Sequence, residues 1–186
     1  MSRTTTKRAG IVGLGMHVPK KILTNFDLEK MVETTDEWVR SRTGIRERRI
    51  VEPGVATSDL AYEAAKDALK QAGVLPKELD LIIVATTSPD MLFPSTACLL
   101  QHRLGAPSSA CFDLAAACSG SVFGMITAEQ YLATGRYRRV LVVGAEVLSN
   151  FIDWTDRSTC ILFGDGAGAC VMAPVSRGGI LATDMG

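Results

Sequence analysis

The 186-residue sequence has few aromatic residues and no excess of either charge. Aromatic residues make up 6% of the chain, and 20 lysines and arginines balance 20 aspartates and glutamates. A balanced charge argues against nucleic acid or an anionic membrane surface as the main partner. No apolar run approaches the ~20 residues of a membrane-spanning helix. Hydrophobic residues reach 47%, which is typical of a well-cored soluble protein, and we predict a cytoplasmic location.

The sequence also lacks the spacings of a disulfide framework or a structural zinc site. Its cysteines number five, and no CxxC or CxxH pattern occurs, which argues against both. Free buried cysteines behave as small hydrophobic residues. We expect that behaviour of every cysteine except Cys118; these four are Cys98, Cys111, Cys160 and Cys170.

Alternating strand and helix patterns predict an α/β layered fold with a largely parallel central sheet. Apolar runs such as residues 81–85 and 140–143 are typical of strands buried on both faces. The clearest helix spans residues 58–72, with small and apolar residues on one face. After a basic tail at residues 1–9, we also predict a strand at 10–18, helices at 26–32, 34–42, 95–104 and 119–134, a strand at 111–116, and a hairpin of strands at 167–175 and 179–183.

Residues that commonly cap helices flank several of these predicted helices. The predicted caps are Asn25, the box at residues 34–37, and Thr57 or Ser58 at helix starts, with Gly44 and Gly73 at helix ends.

The segment DLAAACSGSVFGM, residues 113–125, places Cys118 where a predicted strand turns into a helix. Unpaired N–H groups and the helix dipole favour negative charge at such an end, and the thiolate is the nucleophilic form of cysteine. Small neighbours permit a tight turn and substrate approach, as in the nucleophile elbow of serine hydrolases. The backbone N–H of Cys118 could also help to hold an oxyanion. An inert cysteine in a small-residue core turn remains an equal alternative on these residues alone.

Neither histidine stands in a motif that would aim it at Cys118. His17 follows the first strand, and His102 lies on the polar side of a predicted helix. We expect both to be surface or capping residues.

Two further patterns have a structural and a ligand-binding interpretation. The glycines at residues 163–169 and 13–15 are not G-x-G-x-x-G and do not open a helix, so tight packing explains them better than phosphate binding. Trp38 stands one helical turn before Arg42, in a segment rich in arginine. An aromatic face beside a guanidinium can hold a purine above phosphate contacts, although a solvated arginine-rich surface is the commoner case. The arginines are Arg40, Arg42, Arg46, Arg48 and Arg49.

Four segments together resemble the β-ketoacyl-acyl carrier protein synthase III family. They are TNFDLEKMVETTDEWVRSRTGIRERRI (24–50), VATTSPDMLFPSTAC (84–98), FDLAAACSG (112–120) and WTDRSTCILFGDGAGA (154–169). The resemblance implies a thiolase-like fold, here one N-terminal half of a five-layered αβαβα architecture. It implies a homodimer and a ping-pong Claisen condensation of an acyl-CoA with malonyl-acyl carrier protein. It implies no cofactor or metal, since the CoA thioester is a substrate.

The resemblance also implies roles for particular residues. Cys118 matches the acylated nucleophile. Trp38 and Arg157 match the pair that holds the CoA adenine, and Thr34 and Arg42 match further nucleotide contacts. Phe93 matches a residue that reaches the acyl pocket, often that of the partner subunit, and Leu148 and Phe163 match its lining.

The resemblance places the family's catalytic histidine and asparagine in the second half of the fold. We therefore expect the chain alone to be inactive in condensation, to expose apolar surface and to aggregate. Two alternatives stay open. One is a non-catalytic half that binds acyl-CoA or pairs with a separate C-terminal chain. The other is a starter-unit synthase of a polyketide-type pathway.

Overall fold

A computed structural model of the protein describes residues 8–185, and residues 1–7 of the predicted basic tail and Gly186 lie outside that range. Strands and helices alternate along most of the chain, as the sequence predicts. The first strand begins at Arg8, two residues before the predicted start. The elements are β1 (Arg8–His17), β2 (Lys21–Thr24), α1 (Asn25–Leu28), α2 (Asp36–Thr43), β3 (Glu47–Ile50), α3 (Thr57–Ala72), β4 (Leu81–Ala85), α4 (Thr96–Leu104), β5 (Ala110–Leu114), α5 (Gly120–Ala133), β6 (Val140–Val147) and β7 (Asp165–Val175).

Five of these strands form one sheet in the order β1-β7-β6-β4-β5. β4 pairs in parallel with both β5 and β6, whereas β7 pairs antiparallel with both β6 and β1. Four strands therefore run in one direction and β7 runs in the other. The predicted, largely parallel sheet is confirmed.

The centre of the sheet is buried because helices cover both of its faces. Every residue of β4 is buried. On one face, Leu60 and Ala64 of α3 join a core with Val84 of β4. On the other face, Ala128 of α5 packs in a core with Ile83. Strands enclosed on both faces need apolar residues at every position, which explains the continuous apolar runs in the sequence.

The glycines of β1 allow close contact with α3. A Cβ atom at Gly13 would overlap the carbonyl oxygen of Ala68 and lie 2.7 Å from Cβ of Ala72. A Cβ at Gly15 would likewise overlap the carbonyl oxygen of Ala64. The packing interpretation of these glycines is confirmed, because the helix backbone occupies the space that a side chain would need.

Several predicted helix caps are wrong by one residue. Thr24 and not Asn25 caps α1, and it exchanges hydrogen bonds with Asp27. The Asn25 side chain is buried and donates to Asp36 and to the carbonyl oxygen of Ile45, at 2.9 and 2.8 Å. The helix itself ends at Leu28 and not near residue 32.

The second and third helices also begin differently from the prediction. Thr35 and not Thr34 caps α2. Ala56 is the N-cap of α3, where the carboxylate of Asp59 accepts the Ala56 N–H at 2.9 Å. The hydroxyls of Thr57 and Ser58 instead bond to the loop that follows β4. The predicted ends are confirmed, since Gly44 and Gly73 adopt left-handed conformations at φ 76° and 63°.

The predicted C-terminal hairpin is wrong, and a short antiparallel strand pair elsewhere was missed. Residues 179–183 form no strand, because β1 and β6 already occupy both edges of β7. In the missed pair, β2 and β3 run antiparallel in a separate two-stranded sheet, with α1 and α2 between them in the chain. Its second strand reads Glu-Arg-Arg-Ile, which lacks the alternation that identifies a strand in a sequence.

None of the helices within residues 8–185 is long and apolar enough to cross a bilayer.

Candidate functional site

Cys118 occupies the turn between a strand and a long helix, as the sequence predicts. β5 ends at Leu114, a single 3-10 turn spans Ala117–Ser119, and α5 begins at Gly120. Ala117 has a φ of 44°, which is uncommon for a residue with a side chain and is typical of sharp turns at functional sites. The thiol of Cys118 is exposed. Cys118 is therefore not buried in the core, as the structural alternative expects, and its role as a nucleophile stays a prediction.

Cys118 lines a cleft of about 470 Å³. Small and apolar residues form most of its wall, so a substrate can approach the sulfur closely. The walls come from β1, β4, β6, β7 and the first turns of α5. The residues that line it with Cys118 are Leu14, Gly15, Ala85, Ala117, Ser121, Met125, Val142, Gly144, Ala145, Glu146, Gly168, Ala169 and Cys170.

Glu146 is the carboxylate of this cleft, and its oxygens are already engaged. It accepts the backbone N–H and the hydroxyl of Thr87 at 2.8 and 3.0 Å. It also accepts the hydroxyls of Thr86 and Ser88. Four donors satisfy the carboxylate, so Glu146 holds the loop after β4 in place and is not a free base for Cys118.

Neither histidine lies in the cleft, which agrees with the sequence analysis. His17 ends β1 and lines a different, smaller cavity with Pro19 and Val51. His102 lies in the last turn of α4. Within residues 8–185, the groups around Cys118 therefore include no histidine to serve as a base.

A second cluster forms around the ring of Trp38. The guanidinium carbon of Arg42 lies 4.9 Å from the ring centroid, and that of Arg157 lies 5.4 Å from it. Arg157 also donates to the carbonyl oxygen of Glu33 at 2.9 Å. The hydroxyl oxygen of Thr34 is buried and has no hydrogen-bond partner. The structure thus brings together three of the four residues that the resemblance implies for nucleotide contacts, and Thr34 follows Glu33, the acceptor of Arg157.

The Trp38 cluster is closed against a flat ligand. A ring held between two planar groups needs a contact of ~3.5 Å on each side, or about 7 Å in all. The 5.4 Å between Arg157 and the centroid of Trp38 is less than this. A purine would enter between them only after the Arg157 side chain moves outwards.

The arginine-rich segment divides into buried and exposed residues. Arg48 is 5% exposed and donates to Asn25 Oδ1 at 2.9 Å and to the carbonyl oxygens of Leu23 and Ile161 at 3.1 and 3.3 Å. Burial lowers the pKa of this guanidinium from its ordinary value. Arg48 is therefore a structural residue, whereas Arg42 remains exposed beside Trp38.

The glycine-rich segment at residues 163–169 has a structural role around Asp165. The buried Asp165 carboxylate accepts the Val51 N–H at 2.8 Å, and the N–H and hydroxyl of Ser149 at 2.9 and 2.6 Å. A Cβ atom at Gly164 would lie 3.0 Å from Cβ of Arg48. The predicted packing role of these glycines is confirmed.

The three residues expected to line an acyl pocket do not lie in the Cys118 cleft. Phe93 is 87% exposed in the loop between β4 and α4. Leu148 is half-buried in the 3-10 turn after β6, and Phe163 is partly exposed just before β7. Their role at an acyl chain stays a prediction.

Sequence reasoning missed most of the residues that form the cleft wall. Ser121 and Met125 lie on the face of α5 that points to the sheet, and Gly144 lies near the end of β6. One signal was available, because ligands of α/β proteins bind at the carboxyl ends of parallel strands. Among residues 8–185, no cluster of His, Cys, Asp and Glu is arranged to hold a metal ion.

Comparison with known proteins finds the same family that the four sequence segments resemble. A protein-family model described as 3-Oxoacyl-[acyl-carrier-protein (ACP)] synthase III matches residues 112–186. The chain is 60% identical over 179 residues to a β-ketoacyl-[acyl-carrier-protein] synthase III of Geobacillus kaustophilus (strain HTA426), covering 96% of this chain and 58% of the relative. A relative of that name from Listeria innocua is 56% identical, with coverage of 96% and 57%.

Solved structures agree with the sequence relatives. The 3-oxoacyl-[acyl-carrier-protein] synthase III of Aquifex aeolicus VF5 has a TM-score of 0.87 at 51% identity, covering 90% of this chain and 54% of that one. The priming β-ketosynthase of the R1128 polyketide biosynthetic pathway has a TM-score of 0.89 at 37% identity, covering 95% and 53%.

The chain spans about half the length of the curated relatives that it matches. Its α/β architecture is the thiolase-like fold of its structural neighbours, as predicted. Over nearly its whole length, the chain is therefore similar to proteins named β-ketoacyl-[acyl-carrier-protein] synthase III, in sequence and in structure.

Proposed function

We propose that this chain carries the acyl-accepting site of an enzyme that initiates fatty acid synthesis. Cys118 takes an acyl group, typically acetyl, from acyl-CoA, and malonyl-acyl carrier protein then condenses with the acyl thioester. The observation that carries the proposal is the exposed Cys118 thiol at the N-terminal end of α5, in a cleft of small residues. We expect the enzyme to act in the cytoplasm.

The acylation step uses groups within this chain. The Cys118 thiolate attacks the carbonyl carbon of the CoA thioester and forms a tetrahedral intermediate. Backbone N–H groups at the start of α5 stabilise negative charge in this region. The intermediate collapses when the C–S bond to CoA breaks, which releases CoA thiolate and leaves acyl-Cys118.

The Trp38 cluster supports the choice of CoA as acyl donor. Arg157 swings outwards and the adenine stacks between its guanidinium and the ring of Trp38. Arg42 beside the same ring supplies positive charge for the phosphates. Thr34 offers a buried hydroxyl that is not yet hydrogen-bonded. A buried polar atom without a partner costs free energy, so a ligand that bonds to it gains affinity.

The condensation step needs groups that lie outside the cleft described above. Loss of CO₂ from malonyl-acyl carrier protein leaves a carbanion, which attacks the carbonyl carbon of acyl-Cys118 and frees the thiolate. Hydrogen-bond donors must stabilise the enolate before it attacks. We infer that the family's histidine and asparagine, from the part of the fold beyond this chain, supply them. We also infer a homodimer in which Phe93 reaches the partner's acyl pocket.

Two alternatives have an observation in their favour. Within residues 8–185, Trp38, Arg42 and Arg157 lie together while the Cys118 cleft holds no free base, which favours a half that binds acyl-CoA and pairs with a separate chain. The 37% identity to a priming β-ketosynthase of a polyketide pathway favours a starter-unit synthase.

A chimera tests the proposed function. This chain would replace the matching segment of the Geobacillus kaustophilus relative, with which it shares 60% identity. We expect the chimera to form β-ketoacyl-acyl carrier protein from acetyl-CoA and malonyl-acyl carrier protein. A Cys118→Ser chimera should form none, and neither should the chain alone.

The outcomes separate the hypotheses. Product from the Cys118→Ser chimera would overturn the role of Cys118. Product from the chain alone would show that condensation needs no catalytic groups beyond those of this chain. A folded chimera that binds CoA without turnover would favour the binding alternative, and preference for an acyl-CoA other than acetyl-CoA would favour the starter-unit alternative.

A further inference from the structure

Two cysteine thiols outside the Cys118 cleft lie against each other where α4 packs on β5. Cys98 is in the first turn of α4, and Cys111 is the second residue of β5. Their sulfur atoms are 3.4 Å apart. A disulfide bond measures ~2.05 Å, so the two atoms need to approach by only about 1.4 Å. Neither residue lines the Cys118 cleft.

The surroundings of the two sulfurs differ in a way that suits stepwise oxidation. The Ser95 hydroxyl donates a hydrogen bond to Cys98 Sγ at 3.2 Å. This bond stabilises negative charge as it develops on that sulfur, and the half-buried Cys98 is open to a small reagent. Burial and the contact with Cys98 raise the pKa of Cys111 to about 11. Cys98 is therefore the attacking thiol and Cys111 the resolving one.

Helix α4 and strand β5 are already joined at this point by another interaction. The Asp113 carboxylate on β5 accepts the N–H groups of Thr96 and Ala97 at 2.8 and 2.7 Å. These bonds hold the first turn of α4 against β5, two residues from Cys111. The same contact between α4 and β5 thus keeps the two sulfur atoms close to each other.

We propose that Cys98 and Cys111 form a dithiol site that low-molecular-weight disulfides oxidise to an intramolecular disulfide. The Cys98 thiolate attacks one sulfur of the reagent, which breaks the reagent's S–S bond, forms a mixed disulfide and releases one thiol. Cys111 then loses its proton and attacks Cys98 Sγ, which releases the second thiol. Two cysteine thiols lose two electrons and two protons in all, and the reagent gains them as two free thiols.

The disulfide would tie α4 to the strand that leads to Cys118. β5 ends four residues before Cys118, so oxidation stiffens the support of the acylation turn. The inference does not depend on the proposed function, because both its formation and its detection concern thiols alone.

Peptide mapping tests the proposal with oxidised glutathione as the reagent. Trypsin releases Cys98 in residues 78–103, while Cys111 and Cys118 share residues 104–136. The experiment therefore uses the full chain with Cys118→Ser. In this variant, a disulfide between the two peptides can join only Cys98 to Cys111. We expect the linked peptide as the main product and two fewer free thiols per chain. Cys98→Ser and Cys111→Ser should each abolish the link, whereas Cys170→Ser, a change in the buried core, should leave it.

Three comparisons keep the test decisive. The native chain, in which exposed Cys118 is modified by glutathione, proves that the reagent is active. A Cys118→Ala background repeats the test if the serine variant does not fold. Oxidation in guanidinium chloride should give no preferred pairing, since the pairing depends on the folded contact. If the folded chain yields only separate peptides, free or carrying glutathione, the proposal is wrong.

Discussion

At the scale of single residues, Arg48 is buried in the fold, whereas Cys118 is exposed in its cleft. Cys118 is recognisable because small residues and a helix start surround it. Arg48 is one arginine among several in the sequence, and only the structure shows that it is buried and hydrogen-bonded to three acceptors. Long-range contacts of this kind leave no local pattern, since Ile161 lies far along the chain from Arg48.

Removing Arg48 should destabilise the fold. Arg48→Met leaves the Asn25 side chain and two carbonyl oxygens buried without a donor, so we expect a loss of ~2–4 kcal/mol in the free energy of unfolding. Arg46→Met is the control, since Arg46 is exposed and surface changes usually stay within ~0.5 kcal/mol. Urea denaturation measures both variants. Equal stability of the two would show that the buried hydrogen bonds of Arg48 contribute little.

Removing Trp38 should weaken CoA binding. Stacking of a base on an aromatic ring contributes ~1–3 kcal/mol, so we expect Trp38→Ala to raise the Kd for CoA by about 5- to 160-fold. Arg40→Ala serves as the control, because Arg40 lies on the same helix and pairs with Asp36 at 3.3 Å. Isothermal titration calorimetry gives both constants. A Trp38→Ala chain that binds CoA as tightly as the native chain would rule out the stacking role.

At the scale of elements, strongly patterned segments were predictable and short polar ones were not. The apolar strand β4 and the amphipathic helix α3 follow from periodicity, and their bounds agree with the structure to within one or two residues. The pairing of β2 with β3 was missed because the second strand, Glu-Arg-Arg-Ile, shows no apolar alternation in the sequence, and its buried Arg48 bonds to residues far along the chain. Residues 179–183 read as a strand locally, but β1 and β6 already pair with both sides of β7, which was their predicted hairpin partner.

The contact between β1 and α3 should tolerate no side chain at Gly13. We expect Gly13→Ala to destabilise the protein by ~1–3 kcal/mol, since overpacking forces the helix or the strand to shift. Gly168→Ala in β7 is a matched control, because a Cβ atom there meets nothing within 4 Å. Thermal unfolding followed by circular dichroism compares the two. If the two alanine variants unfold at the same temperature, Gly13 is not needed for the close contact between strand and helix.

At the scale of the whole molecule, one face of the sheet is only partly covered. Successive residues of a strand point to opposite faces. In β1, Gly13 and Gly15 face α3, while Leu14 and Met16 point the other way and are 57% and 65% exposed. Val122 of α5 is also exposed. The sequence alone predicted such a surface through the family resemblance, but the residues that form it became known only from the structure.

The uncovered residues of β1 should make the isolated chain associate. Exposed apolar surface favours contact between molecules, so we expect concentration-dependent association in sedimentation velocity and binding of a hydrophobic dye. The double change Leu14→Gln, Met16→Gln should reduce both. Leu75→Gln removes a leucine that is 55% exposed elsewhere and should change neither. A native chain that stays monomeric at all concentrations tested, with dye binding equal to that of the double variant, would contradict this account.

Acyl transfer to Cys118 is the central claim, and mass spectrometry of the chain after incubation with acetyl-CoA tests it most directly. The account predicts slow acetylation confined to Cys118 in the peptide of residues 104–136, lost in Cys118→Ser and slowed in Trp38→Ala. Acetylation at other residues, or an unmodified Cys118 in a chain that calorimetry shows to bind CoA, would contradict it.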